Sequence, residues 1–335
     1  MKVYYSGNYW GGHKYEHAGQ EISINKLFVW GGLQWLIPAL YICAKGLVID
    51  LCVEIPIEGI RNYYKRWNRD WSRCGINEED HIRMNRENPF SIDPQVVVKA
   101  NGKVLEHSRM CSLGWHPLEE EQDQEGKVQA QLLEYYSCDK SQGWKFIRVC
   151  SPWTTSKKPE LNTISLTLEQ TPALYPGAHF VTTEFSEQQE HIIVHPITGM
   201  EYKLILSDCT TQTLPENSFQ YKEDMIFPNI FKVLNYRTEP ELTTKEFMIQ
   251  DRVRSDPPRD RYNSTKPRME RSACSTGIIG RASGISAIFI PGEGAKEYHW
   301  RTACSSMHFE VVQNVEWQTM FYVKETEDIV VEIEL

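Results

Sequence analysis

Beyond residue 93, apolar and polar residues alternate along most of the chain. Ile164, Leu166 and Leu168 form one set, Val315, Trp317, Phe321 and Val323 a second, and Ile329, Val331, Ile333 and Leu335 a third. A period of two sends successive side chains to opposite faces of a strand, so each stretch can bury one side. On this basis strands are predicted at 128–137, 144–151, 163–170, 178–183, 190–195, 201–208, 229–237, 246–252, 286–290 and 298–304, with a closing hairpin over 315–335. Gln95–Lys99 and Lys103–Met110 flank Asn101-Gly102, a pair suited to a type I′ turn, and predict a further hairpin. Strands in such a series predict a mainly β chain with a β-sandwich-like body.

Before residue 93 the rhythm changes. Ala39–Cys43 and Leu47–Ile55, hinged at Ala44-Lys45-Gly46, predict a hairpin. Ile57, Ile60, Tyr63, Tyr64, Trp67 and Trp71 recur at three- and four-residue steps, with Arg61, Lys65, Arg66 and Arg69 on the other side. That spacing predicts an amphipathic helix, packed on a sheet or lying on a membrane surface. A second helix is predicted from Asn77, a capping side chain, to just before Pro89. The expected division is therefore a small α+β part over residues 1–92 and a β-sandwich-like domain over 93–335. Leu27–Ala44 is uncharged and reaches the lower edge of a membrane-spanning length. Gly31, Gly32 and Pro38 interrupt it, and a buried strand pair has the same composition, so no membrane span is expected.

Composition narrows the function classes. The chain has 335 residues, 41% of them hydrophobic, which suffices for a large core. Its net charge of −9 lacks the positive field that a phosphate backbone requires, so nucleic-acid binding is not expected. The nine cysteines are scattered with no Cys-x-x-Cys pair, and Met1–Gln20 shows no basic-then-apolar signal. Cys43 and Cys52 sit inside apolar runs like small buried hydrophobes, which points to a reducing cytoplasm.

Few motifs carry chemistry. There is no Gly-x-Ser-x-Gly elbow and no His-Glu-x-x-His helix, and no catalytic residue is assigned. The long polar loop at 251–272 holds Pro257, Pro258 and Pro267 and an excess of basic residues; it predicts either disorder or a surface for a partner or an anion. Gly277, Gly280 and Gly284 fit neither dinucleotide nor Walker spacing. The stretch 277–289 resembles a segment of the membrane subunit of biotin-dependent, sodium-pumping decarboxylases. Ser283 stands where that family has an acidic residue, and the reading kept for this stretch is a Gly-rich bend leading into a strand. Tyr4, Tyr5, Tyr9 and Trp10, with Trp115 and Trp153, are either ligand-stacking faces or core filling.

One constellation has metal-ligand character. His195-Pro196-Ile197-Thr198-Gly199-Met200-Glu201-Tyr202 precedes a late Cys304-Ser305-Ser306-Met307-His308, with His179 and His191 upstream. Imidazole together with thiolate suits iron, zinc or copper. This order resembles the desulfoferrodoxin and superoxide reductase family, which places one iron on an immunoglobulin-like sandwich. The resemblance implies His179, His195, Cys304 and His308 as metal ligands. Glu201 stands where that family has another histidine, and three residues rather than two separate Cys304 from His308. The overall style of the chain also resembles that of proteins from anaerobic gut-type bacteria, which supplies no mechanism. Two functional readings follow. One is a non-catalytic binding or interaction module without a cofactor, taking a protein or small-molecule ligand on the 251–272 loop and neighbouring β loops. The other is a degenerate mononuclear non-haem iron redox protein.

Overall fold

A computed structural model describes residues 1–9, 11, 15–67, 78–118, 124–155, 158–215, 225–260, 263–267 and 300–335. Most of these residues lie in antiparallel strands, and the chain forms a β-rich fold. Two compact units emerge. The first is Met1–Ala173 with Lys324–Leu335, and the second is Leu174–Val323.

The first unit runs β1 (Gln20–Trp30), β2 (Leu33–Ile42), β3 (Gly46–Ile55), α1 (Ile57–Trp67), α2 (Glu78–Glu87), β4 (Gln95–Ala100), β5 (Lys103–Leu105), β6 (Arg109–Trp115), α3 (Gln124–Tyr135), β7 (Gly143–Pro152) and β8 (Thr163–Glu169). Its first sheet has the order β1-β2-β3-β7-β6, so strands from both sides of residue 93 share it. The uncharged Leu27–Ala44 run is divided between β1 and β2. Gly31 and Gly32 turn between them with φ of 61° and 74°, the left-handed pair that a two-residue hairpin needs. Among the described residues no helix is long and apolar enough to cross a membrane.

In the second unit the order is β9 (Ala173–Thr182), β10 (Gln189–Val194), β11 (Glu201–Thr213), β12 (Met225–Ile226), β13 (Ile230–Glu239), β14 (Phe247–Asp251), β15 (Arg259–Asp260), β16 (Asn263–Pro267), β17 (Arg301–Cys304) and β18 (Val315–Val323). The last strand, β19 (Ile329–Glu334), returns to the first unit. There it completes a second sheet, β19-β8-β4-β5. Asn101 and Gly102 join β4 to β5 at φ of 47° and 79°, as their sequence predicts. Ile164, Leu166 and Leu168 of β8 are fully buried and share one core with Leu47, Ile49 and Leu51 of β3. Ile60 of α1 joins the same core, and it can do so because residue 143 is glycine: a Cβ there would stand 2.3 Å from Ile60 Cδ1.

The second unit contains the sheets β10-β11-β13-β17, β14-β18-β9 and β12-β15-β16. Leu204, Leu206 and Leu234 from the first of these share a core with Phe247, Trp317 and Phe321 from the second.

Three expectations are corrected. Residues predicted as a strand at 128–137 lie mostly in α3, because Val128, Leu132 and Tyr136 recur at the helical step of four. The 315–335 segment is not a hairpin: β18 pairs with β14, whereas β19 pairs with β8. The second arm of the 95–110 hairpin also divides, since β5 pairs with β4 but β6 pairs with β7. The predicted strand 286–290 and the Gly-rich stretch before it lie outside the described residues.

Candidate functional site

The four residues implied by the iron-protein resemblance occupy different places in the second unit. His195 follows β10 and builds the turn to β11. Its Nδ1 accepts the amides of Ile197 and Thr198, each at 3.2 Å, and its own amide donates to Met200 O at 2.8 Å. Its ring lies 4.9 Å from that of Phe321. Cys304 ends β17, opposite Val233 of β13, which in turn lies opposite Thr210 of β11. The path along β11 from Glu201, beside the His195 turn, to Thr210 is roughly 30 Å at about 3.3 Å per residue. His195 and Cys304 therefore mark opposite ends of one sheet. His179 is exposed on β9, a strand of another sheet. His308 shares the Cys304 end, in a bridge with Ile230. Among the described residues no three His, Cys, Asp or Glu side chains are grouped to hold a metal ion.

The Cys304 end nevertheless holds a cluster that the sequence does not announce. Lys232 lies in the middle of the apolar run Ile230-Phe231-Lys232-Val233-Leu234 and is 3% exposed. Alternation places its side chain on the same face as Leu234 and Tyr236, which are core residues. Thr211 is its direct neighbour on β11, and Ser305 follows β17 on the other side. Together with His308 they line a cleft with about 10 Å³ of free room, enough for one water-sized group. Among the described residues the Lys232 ammonium has no hydrogen bond and no carboxylate within 4 Å, and it keeps contact with solvent. Thr211 Oγ1 is buried without a hydrogen bond as well.

Surrounding groups fix this cleft. Lys232 N donates to Ser305 Oγ at 2.8 Å, and Ser305 Oγ donates to Ser306 O at 2.9 Å. The serine proton is thus committed to a backbone carbonyl, so Ser305 is not an activated nucleophile despite the nearby histidine. His308 Nδ1 lies 3.2 Å from Asp256 Oδ1, and Asp256 Oδ2 accepts the Phe309 amide at 2.9 Å. Burial pushes the Asp256 carboxyl up, but the Phe309 amide and the His308 ring outweigh it and leave the pKa below the usual range. Glu184 accepts the Thr211 amide at 2.8 Å. The Thr211 side chain, its amide and then the Lys232 charge lower the Glu184 pKa. The Thr211 hydroxyl approaches that carboxylate without reaching hydrogen-bond geometry.

The first half of the polar 251–272 loop belongs to this site. Ser306 N donates to Asp251 Oδ2 at 2.8 Å, Met307 N to Ser255 Oγ at 2.9 Å and Asp256 N to Met307 O at 2.9 Å. The Arg259 guanidinium stands 3.9 Å from the centre of the Phe309 ring. Residues 251–260 form a strap laid on 305–309, and Asp256 reaches His308 from that strap. Residues 261–262 and 268–272 lie outside the described residues.

A second polar cluster, in the first unit, is built on a buried ion pair. Arg148 of β7 pairs with Asp50 of β3 through two 2.7 Å bonds, and Tyr136 Oη donates to Asp50 Oδ2 at 2.6 Å. Tyr41 Oη lies 2.9 Å from Tyr136 Oη, and the Arg148 guanidinium stands 4.4 Å from the Tyr9 ring centre. Burial alone would lower the Arg148 pKa; the Asp50 hydrogen bonds and charge hold it above its ordinary value. Burial, and after it the Asp50 charge, pushes the Tyr136 hydroxyl far up. Among the described residues the ammonium of Lys232 has no such partners, and it marks the candidate site.

No protein family matches the chain, and no curated protein does. Among solved structures, a conserved domain protein from Bacillus anthracis aligns over 100% of this chain and 95% of its own, at 9% identity and a TM-score of 0.21. That likeness is too slight to support an argument about fold or activity.

Proposed function

We propose that the protein is a non-catalytic binding module whose recognition site is the Lys232 cleft, at the end of the second unit where the 251–260 strap meets residues 305–309. One observation carries this reading. Lys232 is 3% exposed, yet its ammonium keeps contact with solvent and has no hydrogen bond and no carboxylate within 4 Å among the described residues, so it stands ready at the cleft for a ligand that accepts hydrogen bonds. The committed hydroxyl of Ser305 and the lack of a catalytic signature support binding over turnover. Seven described cysteines are unbridged, and this supports a reducing cytoplasmic setting as part of the same proposal.

The test is an amide-resolved NMR screen of the full chain against a library of small polar fragments. Binders are expected to shift Thr211, Phe231, Lys232, Ser305 and His308 and to be recovered unchanged. Binders that shift only other regions, or that are converted, would overturn the reading.

A further inference from the structure

We infer that β10 is a dimerisation edge, which pairs antiparallel with the β10 of a second copy of this chain about a two-fold axis at Ile192. Among the described residues β10 has a strand on one side only, since it ends the β10-β11-β13-β17 sheet. Its register with β11 runs without a shift from Gln189 opposite Leu206 to Val194 opposite Glu201. The His195 amide donates to Met200 O, which continues that register and makes 195 and 200 a hydrogen-bonded pair. Such pairs alternate along an antiparallel ladder, so Ile193, His191 and Gln189 direct their backbone groups to β11. Glu190, Ile192 and Val194 direct theirs away from it, and their side chains share the face opposite the buried Ile193. On that face Ile192 is 61% exposed and Val194 46%.

Free edges invite a further strand, and proteins blunt them with bulges, lysine, proline or short length. β1 has a bulge between Ser23 and Lys26, and its Lys26 and Trp30 side chains donate to Glu332 O and Glu327 O. β5 has three residues and β17 four. The six residues of β10 include no lysine, no proline and no bulge. A second copy fits this edge because the outward groups are symmetric about Ile192. Setting Ile192 opposite Ile192 also sets Glu190 opposite Val194 on both sides, so three pairs exchange two bonds each and no outward group is left over. The neighbouring register in one direction sets Glu190 opposite Pro196, which has no amide; in the other it sets Val194 opposite Gln188, beyond the strand. Charge permits the match. Glu190 is the one carboxylate of β10, and Lys203 lies 3.2 Å from it. Along the seam the two Glu190 positions stand four residues apart, roughly 13 Å and beyond the screening length of about 8 Å at physiological salt. Six residues a side fall well below the roughly 20–30 of a standard stable interface, so the dimer is weak and reversible.

The experiment follows the full chain through a dilution series by sedimentation velocity and by amide exchange in NMR. Concentrating the protein is expected to convert monomer to dimer and to slow exchange at Glu190, Ile192 and Val194 while leaving His191 and Ile193 unchanged. Ile192→Lys, at an exposed position, should weaken the dimer at least tenfold, because it sets two ammonium groups face to face. Ile192→Cys should give a disulfide-linked dimer above the parent's baseline, its two thiols passing their protons and electrons to oxidised glutathione. A hydrogen-bonded pair holds its Cα atoms about 5.5 Å apart, within the span of a disulfide. Val194→Cys, which faces Glu190, should not cross-link. A chain that stays monomeric with unprotected edge amides would assign the edge to a different protein. Edge amides already slow in the dilute monomer would assign it to another part of the same chain, and either result overturns the inference. So does a dimer that ignores Ile192→Lys or that cross-links equally through Val194→Cys. The wild-type exchange pattern decides the question without either variant, and the Lys232 cleft is not involved in any of these outcomes.

Discussion

Replacing Arg148 by methionine tests whether the first unit is organised around a desolvated ion pair. Asp50 is 1% exposed and Arg148 4%, and each sits in a strand whose neighbours are apolar. The substitution removes two charge-assisted hydrogen bonds and the guanidinium over Tyr9, leaving the Asp50 carboxylate with the Tyr136 hydroxyl. Stranding one partner of a buried pair costs about 3–5 kcal/mol. Removing both charges in Asp50→Leu/Arg148→Met avoids that penalty, and this double variant is expected within about 1 kcal/mol of the parent. The loss of the Tyr136 bond to Asp50 is partly offset by the bond that Tyr136 keeps with Tyr41. Because the chain has two units, a single unfolding free energy is not well defined. The assay is therefore native-state hydrogen exchange at the amides of β3 and β7, which reports on this sheet alone. A cost below about 1 kcal/mol for Arg148→Met, or a double variant as damaged as the single one, would refute a desolvated pair.

Two further outcomes are expected. Glu16 accepts Lys45 Nζ at 2.7 Å and Ser6 N at 3.0 Å, and the Lys45 bond followed by the Ser6 bonds lowers its pKa from 4.5 to about 2. Its folded value is depressed, so its contribution is complete above about pH 4.5 and is lost as pH falls towards 2. Lys45 is 66% exposed, so solvent screening reduces that contribution to about 1 kcal/mol. Glu16→Gln should flatten this part of the acid unfolding profile, and an unchanged profile would count against the pairing. His195→Ala should destabilise the β10–β11 turn by about 1 kcal/mol, read as faster exchange at the Ile197 and Thr198 amides that its Nδ1 accepts. The same loss with and without added iron is expected if the histidine serves the turn.

Period-two alternation located most strands beyond residue 93 because one-sided burial leaves that mark directly on the sequence. Leu166 and Trp317 are fully buried where their phase demands it. Partners are another matter. Nothing in Val315–Leu335 distinguishes two strands that pair with each other from two that enter different sheets, since both solutions bury the same face of each. Likewise α3 is short and mixes Val128, Leu132 and Leu133 with polar residues, so either period can be fitted to it until packing chooses. Residue 93 marks a real change of rhythm, yet β3 before it and β7 after it are hydrogen-bonded neighbours along their whole length. The compact units follow strand pairing, not that change of rhythm.

The candidate site is only half legible in the sequence, because residue type does not report which neighbours a side chain meets. Histidine and cysteine are metal-binding types, but a residue type has meaning only through its neighbours. His195 spends its ring nitrogen on two turn amides, and Cys304 alternates away from the face that carries Lys232. Only His308 reaches the cleft, and it does so beside a lysine and a threonine instead of a thiolate. The informative signal was a charge in the wrong phase: Lys232 falls on the inward beat of β13, with Leu234 and Tyr236. Asp50 and Arg148 carry the same signal in β3 and β7. Two such charges that lie opposite each other neutralise one another and build structure. One that has no partner among the described residues is left to solvent or to a ligand, and this difference separates the core of the first unit from the candidate site of the second.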